Sequence, residues 1–241
     1  LHVRTSKADL WVGAPGTPSI DQGRPIPDVV ETLVRGHPHV ARIEPLRMGF
    51  GFWSIPGSGD AAVIITGIDT SPQAMAMANI LSEAQRTALN EPGAVIVDRA
   101  DLAKLNIAVG ETAQIGRRRV RVVAAVTNLR ALGSVNVLAS TSTARTIDPS
   151  MREPVYFLAQ VSAPELAPQV ATELQPRTQL KRYEVWTADE FATASLVFWL
   201  MDSGAGIAVM LISVVALAVS IAVTSQTLMG AIASSLREYA T

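Results

Sequence analysis

Cysteine is absent from the 241-residue sequence, and charge of either sign is scarce. Without cysteine the chain has no disulfide framework, no thiolate nucleophile and no cysteine-based zinc site. Its 20 Lys and Arg residues are balanced by 21 Asp and Glu residues. The basic excess that neutralises phosphates is therefore missing, and we exclude nucleic acid as a main partner. Only 5% of the residues are aromatic although 49% are hydrophobic, and the aliphatic residues are concentrated in one region of the chain.

That region is one stretch near the C-terminus. Residues 203–236 form 34 consecutive positions without Asp, Glu, Lys or Arg. Ten of the residues from Ile207 to Val223 are Leu, Ile or Val, and each favours membrane insertion by about 0.3–0.6 kcal/mol at a helix centre. A bilayer requires about 20 apolar residues in a helix, whereas a buried core helix, the alternative, is rarely this long and uncharged. We predict a transmembrane helix over 204–229.

A long helix is predicted to begin just before this span. Thr187-Ala188-Asp189-Glu190 has the spacing of a capping box, in which the Thr and Glu side chains each satisfy a free backbone N–H at a helix start. No proline occurs between Ala188 and Leu236, so the helix should run nearly unbroken into the membrane. Residues 188–203 would form a stalk outside the membrane.

Seven positions on this helix are predicted to pack against other helices. In the stalk, a 3-4-3 spacing predicts a coiled-coil-like seam, and the alternative is that the same face docks on the chain's own globular domain. The seam comprises Phe191, Ala194, Phe198 and Met201. In the span, small residues four apart would let helix backbones approach closely. These are Ala216, Ser220 and Thr224.

The remainder of the chain alternates between strand and helix patterns. Strands are predicted at Ala8–Val12, Val40–Glu44 and Ala62–Ile68, with a helix starting near Pro27 and a glycine-punctuated loop or hairpin at Gly49–Gly59. A second segment of similar texture covers 153–187. We interpret 1–70 and 153–187 as one mixed α/β subdomain that is split in the sequence.

The intervening residues 71–152 are predicted to form a smaller, β-rich inserted subdomain. An alanine- and methionine-rich stretch after Pro72 has a helical pattern, and Asn90-Glu91-Pro92-Gly93 is a strong turn signal. A strand at Ala94–Val97 and a hairpin around Gly116 follow. The predicted fold class is therefore α+β, followed by a long stalk and transmembrane helix.

Signals for catalysis are weak. His37-Pro38-His39 places two imidazoles at a turn, which is either a solvated turn or part of a metal site that lacks further ligands nearby in the sequence. The motifs of P-loop nucleotide hydrolases, HExxH metalloproteases and GxSxG hydrolases are absent. Arg117-Arg118-Arg119 lies at a predicted hairpin tip, and is either a solvated turn or a contact for phosphate or a lipid head group. We predict no catalytic residue, no bound metal and no cofactor.

Several short stretches occur in a characteristic order. They are Ala8-Asp9-Leu10-Trp11-Val12 with Gly16-Thr17-Pro18 and Gly23-Arg24-Pro25-Ile26; His37-Pro38 with Val40; Ile65 with Gly67-Ile68-Asp69; Ala94-Val95-Ile96-Val97-Asp98 with Leu105 and Val109-Gly110-Glu111; and Leu236-Arg237-Glu238-Tyr239-Ala240-Thr241 after the span. Over nearly the whole chain this order resembles the MacB/FtsX-type family of ABC transporter permeases, and most closely its DevC-like branch.

The resemblance implies that this is part of a longer permease, comprising an extracytoplasmic domain and the second transmembrane helix. It places residues 1–202 in the periplasm of a bacterium and the span in the inner membrane. Residues 230–241 would begin a cytoplasmic coupling helix, in which Arg237, Glu238 and Tyr239 contact a separate ATP-binding subunit.

The resemblance further implies a non-catalytic subunit, working as a permease homodimer among membrane lipids. ATP-driven motion would pass through the stalk to the periplasmic domain and drive efflux of an amphiphile or lipid-like substrate with a periplasmic adaptor protein. The alternative function is a membrane-anchored extracytoplasmic sensor or binding domain, and an enzyme is the third possibility. A sensor would continue past Thr241 into a soluble signalling domain rather than into further spans.

Overall fold

The computed structural model describes residues 2–55, 57, 59–130, 134–176, 182–202 and 204–238. Within these residues the strands are β1 Leu10–Gly13, β2 Val40–Ser54, β3 Ala61–Ile68, β4 Ala94–Asp98, β5 Thr112–Ile115, β6 Arg118–Val126, β7 Val135–Ser140, β8 Tyr156–Val161 and β9 Glu184–Thr187. The α-helices are α1 Val29–Arg35, α2 Glu83–Ala88, α3 Thr141–Ile147, α4 Ala167–Leu174, α5 Ala188–Val197 and α6 Gly204–Glu238. Residues 1–195 form one compact unit and residues 196–241 a second.

Strand β2 is the element that joins the two sheets of the first unit. Its first half, from Val40 to Leu46, pairs antiparallel with β8, and the order β2-β8-β1-β9 makes a four-stranded antiparallel sheet. Its second half, from Arg47 to Trp53, pairs antiparallel with β3. A single 15-residue strand therefore belongs to two sheets with separate cores.

The second sheet closes on itself as a six-stranded barrel. Its strands follow the order β2-β3-β7-β4-β6-β5, and β5 returns to β2 through the pairs Trp53–Ile115 and Ser54–Gln114. The pairs β3–β7 and β4–β6 are parallel, and the other pairs are antiparallel. Closure leaves no unpaired strand edge in the barrel, which removes a site for edge-to-edge association.

Three groups of apolar side chains fill this unit. The barrel interior is packed with aliphatic residues around Trp53, Ile65 and Val137. One face of the four-stranded sheet is covered by α1 and α4, which contribute Val30 and Val170. The remaining group contains the aromatic side chains of Trp11 and Tyr156, and α5 contributes Phe191 and Ala192 to it.

Of the two alternatives predicted for Gly49–Gly59, a hairpin or a loop, the structure has the hairpin: β2 continues to Ser54 and pairs antiparallel with β3. A Cβ at Gly51 would lie 2.7 Å from Cγ2 of Ile115, and a Cβ at Gly49 would lie 2.7 Å from Sδ of Met151. These glycines therefore permit close packing inside a strand rather than a turn. The sequence alone does not distinguish a glycine that permits close packing in a strand from a glycine that forms a turn.

The predicted fold class is confirmed: the chain is a mixed α/β protein with a β-rich part and one long apolar C-terminal helix. The limits of the inserted subdomain at 71 and 152 stay a prediction. In the structure β2 and β3, from the first predicted segment, share the barrel with β4–β7.

Candidate functional site

The capping box predicted at the start of the C-terminal helix is present. The backbone N–H of Thr187 donates to Oε2 of Glu190 at 2.9 Å, and the backbone N–H of Glu190 donates to Oγ1 of Thr187 at 3.3 Å. Two backbone donors that have no partner within the helix are thereby satisfied. Because Thr187 is the last residue of β9, helix α5 begins directly at the edge of the four-stranded sheet.

Phe191 anchors α5 in the aromatic core of the first unit. Its side chain has 0% exposure and stacks on Trp186 with ring centroids 4.8 Å apart. The rings of Tyr156 and Trp11 lie 5.5 and 5.7 Å from it. Aromatic pairs at such distances add to the free energy gained by burial. The anchor therefore joins residues from β1, β8, β9 and α5.

A buried hydrogen-bond network lies one turn further along α5. The hydroxyl of Ser195, which is fully buried, accepts a hydrogen bond from the backbone N–H of Ile20 at 3.1 Å. The hydroxyl of Tyr156 donates to the carbonyl oxygen of Ile20 at 2.9 Å. Burial, with a smaller contribution from Asp21, raises the pKa of Tyr156, so the hydroxyl stays protonated as a donor. The backbone N–H of Ile20 is therefore hydrogen-bonded to Ser195 of α5, and its carbonyl oxygen to Tyr156 of the aromatic cluster.

The four residues of the predicted stalk seam lie in different environments in the structure. Phe191 follows the docking alternative, since it packs in the chain's own core together with Ala192. Ala194 and Met201 are exposed, and Phe198 is half-buried. For these three residues, contact with a neighbouring helix stays a prediction.

A π-helical turn, Phe198–Asp202, interrupts the helix that was predicted to run nearly unbroken. A π-helical turn is wider than an α-helical one and is usually found as a single local feature. At its C-terminal side, a Cβ on Gly206 would lie 2.6 Å from the carbonyl oxygen of Trp199 and 2.6 Å from the carbonyl carbon of Leu200. The glycine permits this close approach of the backbone.

The described residues contain one helix long and apolar enough to cross a membrane, Gly206–Gly230, with a mean hydropathy of 2.7 in its most apolar window. None of that window is buried against the rest of the described chain. An apolar helix of 25 residues is long enough to cross the hydrocarbon core of a bilayer.

The three small residues predicted for helix packing lie on one exposed side of α6. At 100° per residue, Ala216, Ser220 and Thr224 fall within an arc of about 80°. The hydroxyl of Ser220 donates to the carbonyl of Ala216, and that of Thr224 donates to the carbonyl of Ser220, both at 2.8 Å. These hydroxyls are therefore satisfied within the helix, as a lipid environment requires. Their contact with another helix stays a prediction.

The predicted ATPase-coupling residues are at the end of the chain. Arg237 and Glu238 are the last two positions of α6, and Tyr239 lies outside the described residues. Their role also stays a prediction.

His37, in the turn His37-Pro38-His39, contacts a residue of a helix that is distant in the sequence. Nε2 of His37 lies 2.9 Å from Oε2 of Glu173, a residue of α4. Hydrogen bonds from Gln169 and then from His37 lower the pKa of Glu173. The pair links α4 to the turn between α1 and β2. Among the described residues no group of three His, Cys, Asp or Glu side chains is placed to hold a metal.

Sequence reasoning missed Glu44, a buried carboxylate in β2. It is 2% exposed and accepts hydrogen bonds from the backbone N–H groups of Met75 at 2.5 Å and Ala76 at 3.4 Å. The alanine- and methionine-rich stretch after Pro72, predicted to be helical, forms turns first and is helical only in α2, Glu83–Ala88. The backbone N–H groups of Met75 and Ala76 bind the distant carboxylate of Glu44, and this long-range partner is invisible in a local pattern.

Glu44 should make stability depend on pH. Burial raises its pKa from the ordinary 4.5, against the opposing effect of the two backbone hydrogen bonds. A carboxyl group whose folded pKa is raised contributes stability that is present below pH 4.5 and is lost as the pH rises through the folded pKa. We expect the free energy of unfolding of the native chain, measured against Glu44→Gln by urea titration, to fall as the pH rises from about 4.5. A difference that is constant between pH 4 and 8 would contradict this.

Comparison with known proteins gives one clear match. A family model described as the MacB-like periplasmic core domain matches residues 2–177. None of the curated proteins matches the sequence.

Three solved structures are similar, and each covers most of this chain. The periplasmic region of MacB from Actinobacillus actinomycetemcomitans is 12% identical, with a TM-score of 0.49, over 79% of this chain and 94% of that one. The extracellular domain of the noncanonic ABC-type transporter YknZ from Gram-positive bacteria is 10% identical, with a TM-score of 0.47, over 73% and 98%. A domain of a putative permease protein from Porphyromonas gingivalis is 10% identical, with a TM-score of 0.45, over 78% and 91%.

Proposed function

Because the chain belongs to the family of MacB-like periplasmic core domains, and so to an ABC-type transporter permease, we propose that it transmits ATP-driven motion to its periplasmic domain. One observation carries the proposal: the family match over residues 2–177 is followed by a single apolar helix, Gly206–Gly230, within the described residues. This order combines a domain outside the membrane with a connection into it.

The proposed subunit is non-catalytic and lies in the bacterial inner membrane. A separate cytoplasmic subunit hydrolyses ATP and contacts Arg237, Glu238 and Tyr239. The periplasmic domain acts with an adaptor protein, and the substrate is an amphiphile or another lipid-like molecule. The small-residue side of α6, at Ala216, Ser220 and Thr224, packs against another transmembrane helix of a permease homodimer.

The contacts of α5 support transmission of motion to the domain. Phe191 is enclosed by rings from β1, β8 and β9, and Ser195 is bonded to the backbone of Ile20. A displacement of α5 cannot leave these buried partners unchanged, because close-packed interiors transmit strain. Motion of the helix therefore reaches the four-stranded sheet directly.

Cysteine accessibility tests the proposed topology, and the chain has no cysteine of its own to interfere. In intact cells with a permeable outer membrane, an impermeant maleimide should label a cysteine that replaces the exposed Arg118. A cysteine that replaces Arg237 should be labelled only after the inner membrane is opened. The reverse pattern would place the domain on the cytoplasmic side and remove the proposal.

A charge reversal tests the proposed ATPase contact. Arg237→Glu should reduce co-purification of the ATP-binding subunit several-fold, because a cation at that contact is replaced by an anion. Arg117→Glu, the same reversal on the exposed β5–β6 turn, serves as the matched control and should leave co-purification unchanged. Equal association and equal export in both variants would exclude Arg237 from the interface.

A further inference from the structure

Four arginines line two adjoining hollows around helix α3, which we call the arginine cleft. One hollow, of about 500 Å³, is lined by Arg47 and Arg145. The other, of about 450 Å³, is lined by Arg118 and Arg119. Asn90 and Ser142 line both hollows, so the two lie side by side. The arginines come from β2, α3 and β6 and meet only in the folded chain.

These cations have no carboxylate partner in the part of the chain that is described. No Asp or Glu oxygen there lies within 4.0 Å of their side-chain nitrogens. Nε of Arg47 donates to the carbonyl oxygen of Arg152 at 3.3 Å, which orients its guanidinium. Burial and the like charge of Arg145 lower the pKa of Arg47, while Asp28 and Glu31 oppose this. The two guanidinium groups in the first hollow therefore repel one another, and a bound anion would relieve the repulsion.

Two acidic side chains also line the cleft, and both have other partners. Glu44 is bound to the backbone N–H groups of Met75 and Ala76. Asp69 accepts hydrogen bonds from the backbone N–H and the hydroxyl of Ser71, at 2.9 and 2.8 Å. The four arginines thus outnumber the acids, and the acids are held by groups of their own.

Hydroxyl and amide groups complete the lining. The hydroxyl of Thr70 donates to Oδ1 of Asn90 at 2.5 Å, which leaves the Nδ2 amide of Asn90 as a donor. Thr141 and Ser142 line the first hollow as well; the hydroxyl of Thr141 donates to the carbonyl oxygen of Ile68 at 3.2 Å, and that of Ser142 lies 3.0 Å from the hydroxyl of Ser140. Guanidinium groups together with hydroxyl and amide donors are the groups that proteins use to bind phosphate oxygens.

An apolar ledge lies on β2 near the β5–β6 turn. Phe50 and Phe52 stand on the same face of β2 and are 74% and 65% exposed. Phe52 pairs with Ala62 on β3, and its carbonyl oxygen accepts a hydrogen bond from the N–H of Gly116 at 3.0 Å. Gly116 lies two residues before Arg118, which lines the second hollow. Strand pairing therefore links the β2 backbone at Phe52 to the turn that leads to Arg118.

We propose that the arginine cleft binds the phosphate group of an amphiphile, whose apolar chain lies on Phe50 and Phe52. Charge complementarity selects an anion for the cleft, and the exposed rings select an anion that carries a hydrocarbon chain. This binding requires no ATP hydrolysis, so it can be tested separately from the proposed transport.

Two probes with the same head group test the proposal. The chain is held in phosphatidylcholine nanodiscs and titrated calorimetrically with glycerol 3-phosphate, or with dihexanoyl phosphatidic acid below its micelle concentration; empty nanodiscs correct for partitioning. Arg145→Gln and the double variant Arg118→Gln/Arg119→Gln should each weaken the binding of both probes about tenfold or more, because a charge-assisted hydrogen bond is lost. Arg117→Gln changes the charge equally at a residue outside the lining, and should change affinity less than twofold.

The ledge is tested with the same pair of probes. Phe50→Ala/Phe52→Ala should weaken binding of the phosphatidic acid at least fivefold and leave binding of glycerol 3-phosphate unchanged. Binding of both probes that is equally tight and insensitive to the Phe variant would overturn the amphiphile and leave a soluble phosphate ester as ligand. Absence of binding at millimolar probe, or an equal effect of Arg117→Gln, would overturn the site itself. Circular dichroism melts establish that each variant is folded.

Discussion

Replacing Phe191 with alanine should lower the free energy of unfolding of the periplasmic unit by about 3–5 kcal/mol, the usual loss for truncating a buried Phe. The residue has 0% exposure, and its ring lies within 5.7 Å of three other aromatic rings. For a domain of this size, the change corresponds to a decrease in Tm of about 6–20 °C. Thermal denaturation followed by near-ultraviolet circular dichroism measures it, because the aromatic cluster supplies the signal.

The chain offers a matched control for this substitution. Phe50 is the same residue type in the same unit but is 74% exposed, so Phe50→Ala should change the free energy of unfolding by less than about 0.5 kcal/mol. If Phe191→Ala and Phe50→Ala lowered Tm equally, the aromatic cluster would not be the anchor of α5. Transmission through α5 to the sheet would then lose its main support.

Two alanines inserted between Leu196 and Val197 should abolish export and leave membrane insertion and basal ATP hydrolysis largely intact. The insertion rotates everything beyond it by about 200° at 3.6 residues per turn. Alanine keeps the helix propensity high. The position lies beyond Ser195, so its buried hydrogen bond with Ile20 is kept. Substrate efflux from cells and ATPase rate in nanodiscs are the paired measurements.

Four inserted alanines at the same position separate rotation from length. They rotate the helix by a net amount of about 40° and lengthen it by about 6 Å, against 3 Å for two alanines. If helix phase carries the signal, the four-alanine variant should retain more export than the two-alanine variant. Wild-type efflux with two alanines would show that the helix is only a tether, and the anchored sensor or binding domain would then be the better account.

The sequence predicted best where the partners of a residue are its own neighbours. The capping box at Thr187 and Glu190 was confirmed because both donors and both acceptors lie within four residues. The apolar helix was found for a related reason, since lipid rather than distant protein residues determines the composition of such a segment. The hairpin around Gly116 also formed as predicted, and that glycine has the positive φ of 60° that a tight turn requires.

Prediction failed where a residue's partner is distant in the sequence. Gly49 and Gly51 were assigned to a hairpin or loop, and no local pattern indicated that they lie within a strand and pack against Met151 and Ile115. The stretch after Pro72 was predicted to be helical, but before α2 it forms turns, and the backbone N–H groups of Met75 and Ala76 bind Glu44. Local propensity is a weak preference, and a tertiary hydrogen bond or a close contact outweighs it.

The sequence by itself therefore determined the mixed α/β class, the apolar helix, its capped start and the family resemblance, because each depends on composition or on short, contiguous motifs. Only the tertiary structure decided that β2 serves two sheets, that the barrel closes on β5, and that Phe191 faces the domain's own core. Only the tertiary structure places the hollows around α3, which are lined by Arg47, Arg118, Arg119 and Arg145. The physical reason is that strand pairing and side-chain burial join residues far apart in the chain, and local periodicity specifies which face of an element is apolar without specifying what covers it.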